Sequence, residues 1–187
     1  MSKIVSKGFV DGFYYKPRVD YEVLQEFHEG IICLSACLAG EVQRYLARGM
    51  YEEGKKAALK YQDIFGKGNY FLEMQDHGIP EQRMVNQQLM RMSQETGIEL
   101  VCTNDVHYTY DILLCIQTGK KQSDENRMRY EGGQYYLKSP EEMAELFKFA
   151  PEALENTQKI ADRCNVTFEF GVTKLPNYEV PEGYTPA

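Results

Sequence analysis

No apolar run in this chain is long enough to cross a bilayer, and Met1-Ser2-Lys3-Ile4-Val5-Ser6-Lys7 lacks the apolar core of a signal peptide. Both absences point away from the membrane. The five cysteines include no C-x-x-C pair, and their odd number argues against a disulfide framework. Cys33, Cys102 and Cys115 fall inside apolar runs, where a reduced thiol acts as a small hydrophobe, so a cytoplasmic, reducing compartment is expected. An excess of positive charge is also missing. The net charge of −7 argues against a stand-alone nucleic-acid binder, although it leaves room for a small basic patch. Tryptophan is absent, and there is neither an internal repeat nor a low-complexity tract.

What is present is the composition of an ordinary folded domain. The 187 residues are 43% hydrophobic and 26% charged, enough for one domain with a real core. The first segment reads as helical to about Asp11. Residues 12–18 read as a turn or extended connection, because Pro17 biases Lys16 away from helix. Asp20 caps a short helix expected to bury Val23, Leu24 and Phe27, with Gly30 as its stop and His28 solvated at its end.

Strands are expected at 31–36, 69–75 and 98–103. Between them come helices at about 40–48, 51–65 and 80–96, the last with Met84, Gln88, Leu89 and Met92 at core spacing. Residues 111–117 read as a helix or a buried run, 118–133 as a charged surface loop, and 135–137 as a short strand. Ser139-Pro140-Glu141-Glu142 is a capping-box helix start. A further helix opens at Pro151 and is expected to bury Leu154, Ile160 and Ala161. The proline-bearing tail 175–187 reads as an extended linker.

Strand–helix–strand–helix–strand implies an α/β fold with parallel strands and crossover helices. In such folds chemistry collects where the strands end at their carboxyl side. Cys37, Asp76-His77 and Asp105-x-His107 each follow a different strand, so three strands deliver polar residues to one rim. If the chain is extended past Cys102, Asp105 and His107 point to the same side, roughly 6–7 Å apart along the backbone. A carboxylate and an imidazole suit a Zn, Mn or Fe site, and the rim suits a metal or a phosphate. The plain alternative is a strand that ends in a polar loop, with His107 exposed.

Several longer stretches resemble one family. Gly12-Phe13-Tyr14-Tyr15-Lys16-Pro17-Arg18-Val19-Asp20, Leu34-Ser35-Ala36-Cys37-Leu38-Ala39-Gly40-Glu41-Val42 and Phe71-Leu72-Glu73-Met74-Gln75-Asp76-His77-Gly78 are similar to the PHP (polymerase and histidinol phosphatase) domain of bacterial DNA polymerase III alpha subunits. The match continues in order through 103–108, 113–120 and 136–143. The resemblance implies part of a distorted (β/α)7 barrel over residues 1–174, with 175–187 leading toward a polymerase palm beyond Ala187. It implies divalent metal (Zn, Mn or Fe) at the carboxyl rim and 3′–5′ exonuclease or phosphoesterase chemistry where the site is complete. Carried over residue by residue, the metal ligands here are Cys37, Asp105 and His107. His77 is expected to be second shell or loop structure, and Lys16 and Arg18 either to face a phosphate or to be surface charges steadying their loop.

Two departures qualify the match. The family's N-terminal His-x-His pair and the carboxylates after it have no counterpart here, and the connection between His107 and Ile112 is several residues shorter. The expectation is therefore an incomplete metal site and an open sheet that associates through an unpaired edge near residues 31–36, unless residues 1–20 cover it. The implied partners are the rest of the alpha subunit and, through it, DNA and the replisome. The other readings are a non-catalytic scaffold module and a free-standing metal-dependent phosphoesterase.

Overall fold

The computed structural model describes residues 1–109 and 111–173, so the linker expected over 175–187 lies outside the described residues. Helix α1 (Ser2–Val10) gives way at Asp11 to a small antiparallel pair, β1 (Phe13–Tyr14) and β2 (Lys16–Pro17), folded around Tyr15 with φ 59°. Glycine is required at position 12, where a Cβ would lie 2.0 Å from the Arg18 carbonyl oxygen. Helix α2 (Tyr21–Phe27) is capped as expected: the Asp20 carboxylate accepts from Val23 N at 3.0 Å. Val23, Leu24 and Phe27 are only half-buried, because this helix lies at the margin of the core.

The centre is a parallel sheet in the order β3 (Cys33–Leu34), β4 (Tyr70–Met74), β5 (Leu100–Cys102). Cys33 stands opposite Tyr70, and Met74 opposite Cys102. Helices α3 (Glu41–Ala47) and α4 (Tyr51–Phe65) join the first two strands, and α5 (Pro80–Thr96) joins the last two. The α/β reading with crossover helices is therefore observed. Both outer strands are shorter than expected. Ala36 turns left-handed (φ 69°) just after β3, and past Thr103 the chain leaves the sheet to pair with residues 134–136.

All five residues of β4 are buried, as a strand covered on both faces requires. Leu46, Ala58, Leu72, Leu89 and Met92 form the heart of the core, and each large aliphatic side chain buried there is worth about 1.5–3 kcal/mol. The α5 stripe differs from expectation: Val85, Leu89 and Met92 face inward, while Met84 is exposed. Met84 lies on the far side of the helix from Leu89, five residues on, which at 100° per residue cannot share a narrow face with it.

Residues 111–117 resolve as a helix: α6 (Asp111–Thr118) buries Leu114 and Cys115 and exposes Ile112, Leu113 and Ile116. The short strand expected at 135–137 is a single parallel bridge, Tyr108 to Tyr136. Helix α7 (Pro140–Leu146) carries the expected capping box of Ser139 and Glu142. Helix α8 (Pro151–Arg163) lies along β5 and buries Ala153 and Asn156, while Leu154 and Ile160 are half-buried and Ala161 is exposed.

Candidate metal-binding rim

Cys37, Asp76-His77 and Asp105-His107 follow the carboxyl ends of β3, β4 and β5, on the common rim that the parallel topology creates. The local reasons differ. After β5, Thr103 N still donates to Met74 O at 3.0 Å, and Asp105 then turns left-handed with φ 42°. The chain is not extended there. The turn nevertheless brings His107 Nε2 within 3.4 Å of Asp105 Oδ2, with both side chains about a third exposed (36% each). His107 stacks on Tyr130 with centroids 4.3 Å apart, and its backbone N–H donates to Tyr135 O at 3.0 Å. The Asn104 amide donates to Gln134 O (2.9 Å) and Tyr136 O (2.7 Å), so the 134–136 segment anchors this loop.

Cys37 sits half-buried across the rim, behind the left-handed Ala36. Of the three non-glycine residues with positive φ among the described residues, one is Asp105 and another immediately precedes Cys37. Backbone held in sparsely populated conformations gathers at functional sites, and here it occurs at one of the three residues the sequence singled out and directly before another.

His77 is buried and spoken for at both ring nitrogens. Its Nε2–H donates to Asn104 O at 3.0 Å, Nδ1 accepts from the Gln82 amide at 2.8 Å, and the ring stacks on Tyr135 at 3.9 Å. It ties the β4 loop to the β5 loop. Asp76 accepts from Gly78 N at 2.8 Å and lies 3.6 Å from Arg83. Lys16 and Arg18 are exposed on the β1–β2 hairpin, where the Arg18 guanidinium lies 5.4 Å from the Tyr14 ring centre.

Fit to a metal ion is partial. Carboxylate, imidazole and thiolate are the donors zinc accepts, and Asp105 with His107 forms a ready pair. Gln75 Oε1 and Asn104 Oδ1 are buried acceptors without a donor, an excess of oxygen that suits a cation or water. Among the described residues, however, no three of His, Cys, Asp and Glu come close enough to hold an ion together, so Cys37 does not join the pair in this structure.

Sequence reasoning passed over Glu73, Gln43 and Thr103, which build the polar floor of the rim. The signal for Glu73 was a carboxylate inside an otherwise strand-like apolar run, 70–74. Nothing local marked Tyr130 and Tyr135, which reach His107 and His77 only through the tertiary fold.

Residues 1–77 match the family model for the PHP domain. Over 187 residues, 96% of this chain, the sequence is 46% identical to the DNA polymerase III subunit alpha of Treponema pallidum. It is 42% identical over 189 residues, again 96% of the chain, to the protein of the same name from Borreliella burgdorferi. The corresponding protein of Deinococcus radiodurans is 40% identical over 196 residues, 98% of the chain. The chain spans about 16% of the first two relatives and 15% of the third.

Proposed function

We propose that the chain, which matches the PHP domain over residues 1–77 and is 40–46% identical to DNA polymerase III alpha subunits over nearly its whole length, is part of such a subunit, and that its residues 1–174 work as the PHP module of a replicative polymerase. Its three parallel strands are then part of the distorted (β/α)7 barrel, and residues 175–187 link it to the polymerase body. The partners are the remainder of the alpha subunit and, through it, DNA and the replisome. DNA elongation is the activity of that whole protein.

Within the module, the rim binds a divalent cation: Zn, Mn or Fe. The observation that carries this reading is the Asp105–His107 pair at 3.4 Å behind the last strand. Asp105 and His107 would hold the ion, and Cys37, which stands apart from them here, would be the third donor only if it moved toward the pair. Such an ion supplies Lewis-acid polarisation of a phosphodiester and a more acidic bound water. The chain's own contribution is to fix the imidazole, through Tyr130 stacking and the His107 backbone bond, and to keep the carboxylate beside it. A second reading, a docking module without chemistry, draws on the separation of Cys37 from that pair.

Metal content distinguishes the two. Purified chain titrated with Zn2+ or Mn2+ should bind metal weakly, and Asp105→Ala or His107→Ala should remove most of that binding. Binding that is unaffected by either substitution would favour the docking reading. Because two adjoining donors bind metal only weakly, neither polymerase activity nor appreciable exonuclease activity is expected from this chain alone. Manganese-dependent degradation of single-stranded DNA that Asp105→Ala abolishes would overturn that expectation.

A further inference from the structure

Glu73 stands in the central strand with its side chain buried, 9% exposed, and the carboxylate meets three neutral donors. It accepts from Ala36 N at 3.0 Å, from Gln75 Nε2 at 3.0 Å and from Thr103 Oγ1 at 2.5 Å. These donors come from the turn after β3, from the end of β4 itself and from the end of β5. A buried carboxylate is a costly choice for a strand whose other four residues are Tyr, Phe, Leu and Met, because its charge must leave water. Packing alone would favour an aliphatic residue there.

The surroundings reinforce the same contacts. Ser35 Oγ accepts from Glu73 N at 2.8 Å and from Gln43 Nε2 at 2.6 Å, and Gln43 Nε2 also donates to Ala36 O at 2.9 Å. Both the amide and the carbonyl of Ala36 are thus held from below. Ala36 is also the residue in the left-handed region, which an alanine adopts only when its neighbours impose it. Its neighbour in sequence is Cys37, and Thr103 lies two residues before Asp105.

We propose that Glu73 is the positioning residue of the rim: its carboxylate clamps the Ala36–Cys37 turn to the end of β5 and so sets where the Cys37 thiol stands relative to the Asp105–His107 pair. The importance of that placement rests on the metal reading above. The clamp itself does not, and it can be tested without metal.

The test uses the full chain and the alkylation rate of Cys37 by iodoacetamide, mapped by mass spectrometry against exposed Cys164 as internal reference. Glu73→Gln keeps the shape but replaces one acceptor oxygen with an amide nitrogen that cannot accept: at the Oε2 position it loses the Ala36 contact, and at the Oε1 position it loses the Gln75 contact and the present sense of the Thr103 bond. Cys37 should then react roughly tenfold faster relative to Cys164, the factor equivalent to about 1.4 kcal/mol. Ala36→Gly in the same chain should return the ratio to within about twofold of the original, because glycine adopts this conformation unaided. Unspecific loosening would not be rescued in this way. An unchanged ratio in folded Glu73→Gln, or no rescue by Ala36→Gly, overturns the clamp.

If Glu73→Gln does not fold, Thr103→Val removes a single donor and is read identically, and amide exchange in the unmodified chain supplies a second measure. The Ala36 N–H should be protected like the amides of β4, and exchange at the rate of an open loop counts against the clamp. Zn2+ titration of the unmodified chain and of Cys37→Ser addresses the other premise. Equal affinities would remove the metal role of Cys37 and leave the alkylation result to stand or fall by itself.

Discussion

The two outer strands of the sheet are built to different standards. Strand β5 is buried throughout, with Leu100, Val101 and Cys102 at 5% exposure or less. Its outer side is closed by α8, whose Asn156 amide donates to Leu100 O at 2.8 Å, and its continuation is paired through Tyr108 and Tyr136. Strand β3 has two residues, both half-buried, and borders a cleft of about 650 Å³ lined by Met1, Ile31, Ile32, Leu34 and Ile160. Among the described residues, one edge is sealed and the other is open. A sheet edge is sealed by whatever satisfies its backbone groups, and here a single asparagine and a short return segment do that on one side only.

The largest test of this contrast removes a seal. Phe147, fully buried between α7 and α8, packs against the core on the β5 side. Phe147→Ala should cost about 3–5 kcal/mol in denaturant unfolding, whereas Leu38→Ala, half-buried on the β3 side, should cost well under half as much. Comparable losses would mean that the two sides are equally well packed.

Asn156→Leu is the next step down. It keeps the bulk but strands the buried Leu100 carbonyl, for an expected loss of about 1–3 kcal/mol. Little or no change would assign the seal to packing rather than to the hydrogen bond.

The two edge thiols sharpen the comparison by titration. Burial, aided by the charge of Glu73, pushes Cys33 up to about 11, and burial pushes Cys102 up to about 12. Both values are raised, so the stability they reflect is fully present below the ordinary thiol range. It is lost as pH rises from there through about 11 for Cys33 and about 12 for Cys102. Unfolding free energies measured from neutral pH to about pH 10.5 should therefore fall, and less steeply in Cys102→Ala. A flat profile would show that neither thiol is shielded in solution.

The smallest effect on stability is expected at the open edge. Ile32→Lys, on the half-buried approach to β3, should change stability by about 0.5 kcal/mol or less while lowering any self-association seen by light scattering across a concentration series. Association that is indifferent to the lysine would place the contact elsewhere, with the exposed Ile112, Leu113 and Ile116 of α6 as the next surface to test.

Much of this was legible from local order. The Asp20 cap, the Ser139–Glu142 capping box, the span Tyr51–Phe65 of α4 and the span Pro80–Thr96 of α5 follow from side chains within a few residues of each other, as does the parallel alternation of strands and helices. So does the placement of Cys37, Asp105 and His107 after strand ends, because chain order and parallel pairing together fix which end each loop occupies. What sequence could not supply was contact across distance. The aromatic wall formed by Tyr130 and Tyr135, the sealing of β5 by Asn156 and the clamp of Glu73 on Ala36 and Thr103 join residues about 23 to 58 positions apart. Helical periodicity and capping are encoded by neighbours along the chain. The choice of which carboxylate is buried, which edge is closed and which two rim residues meet depends on packing that exists only once the whole sheet has assembled.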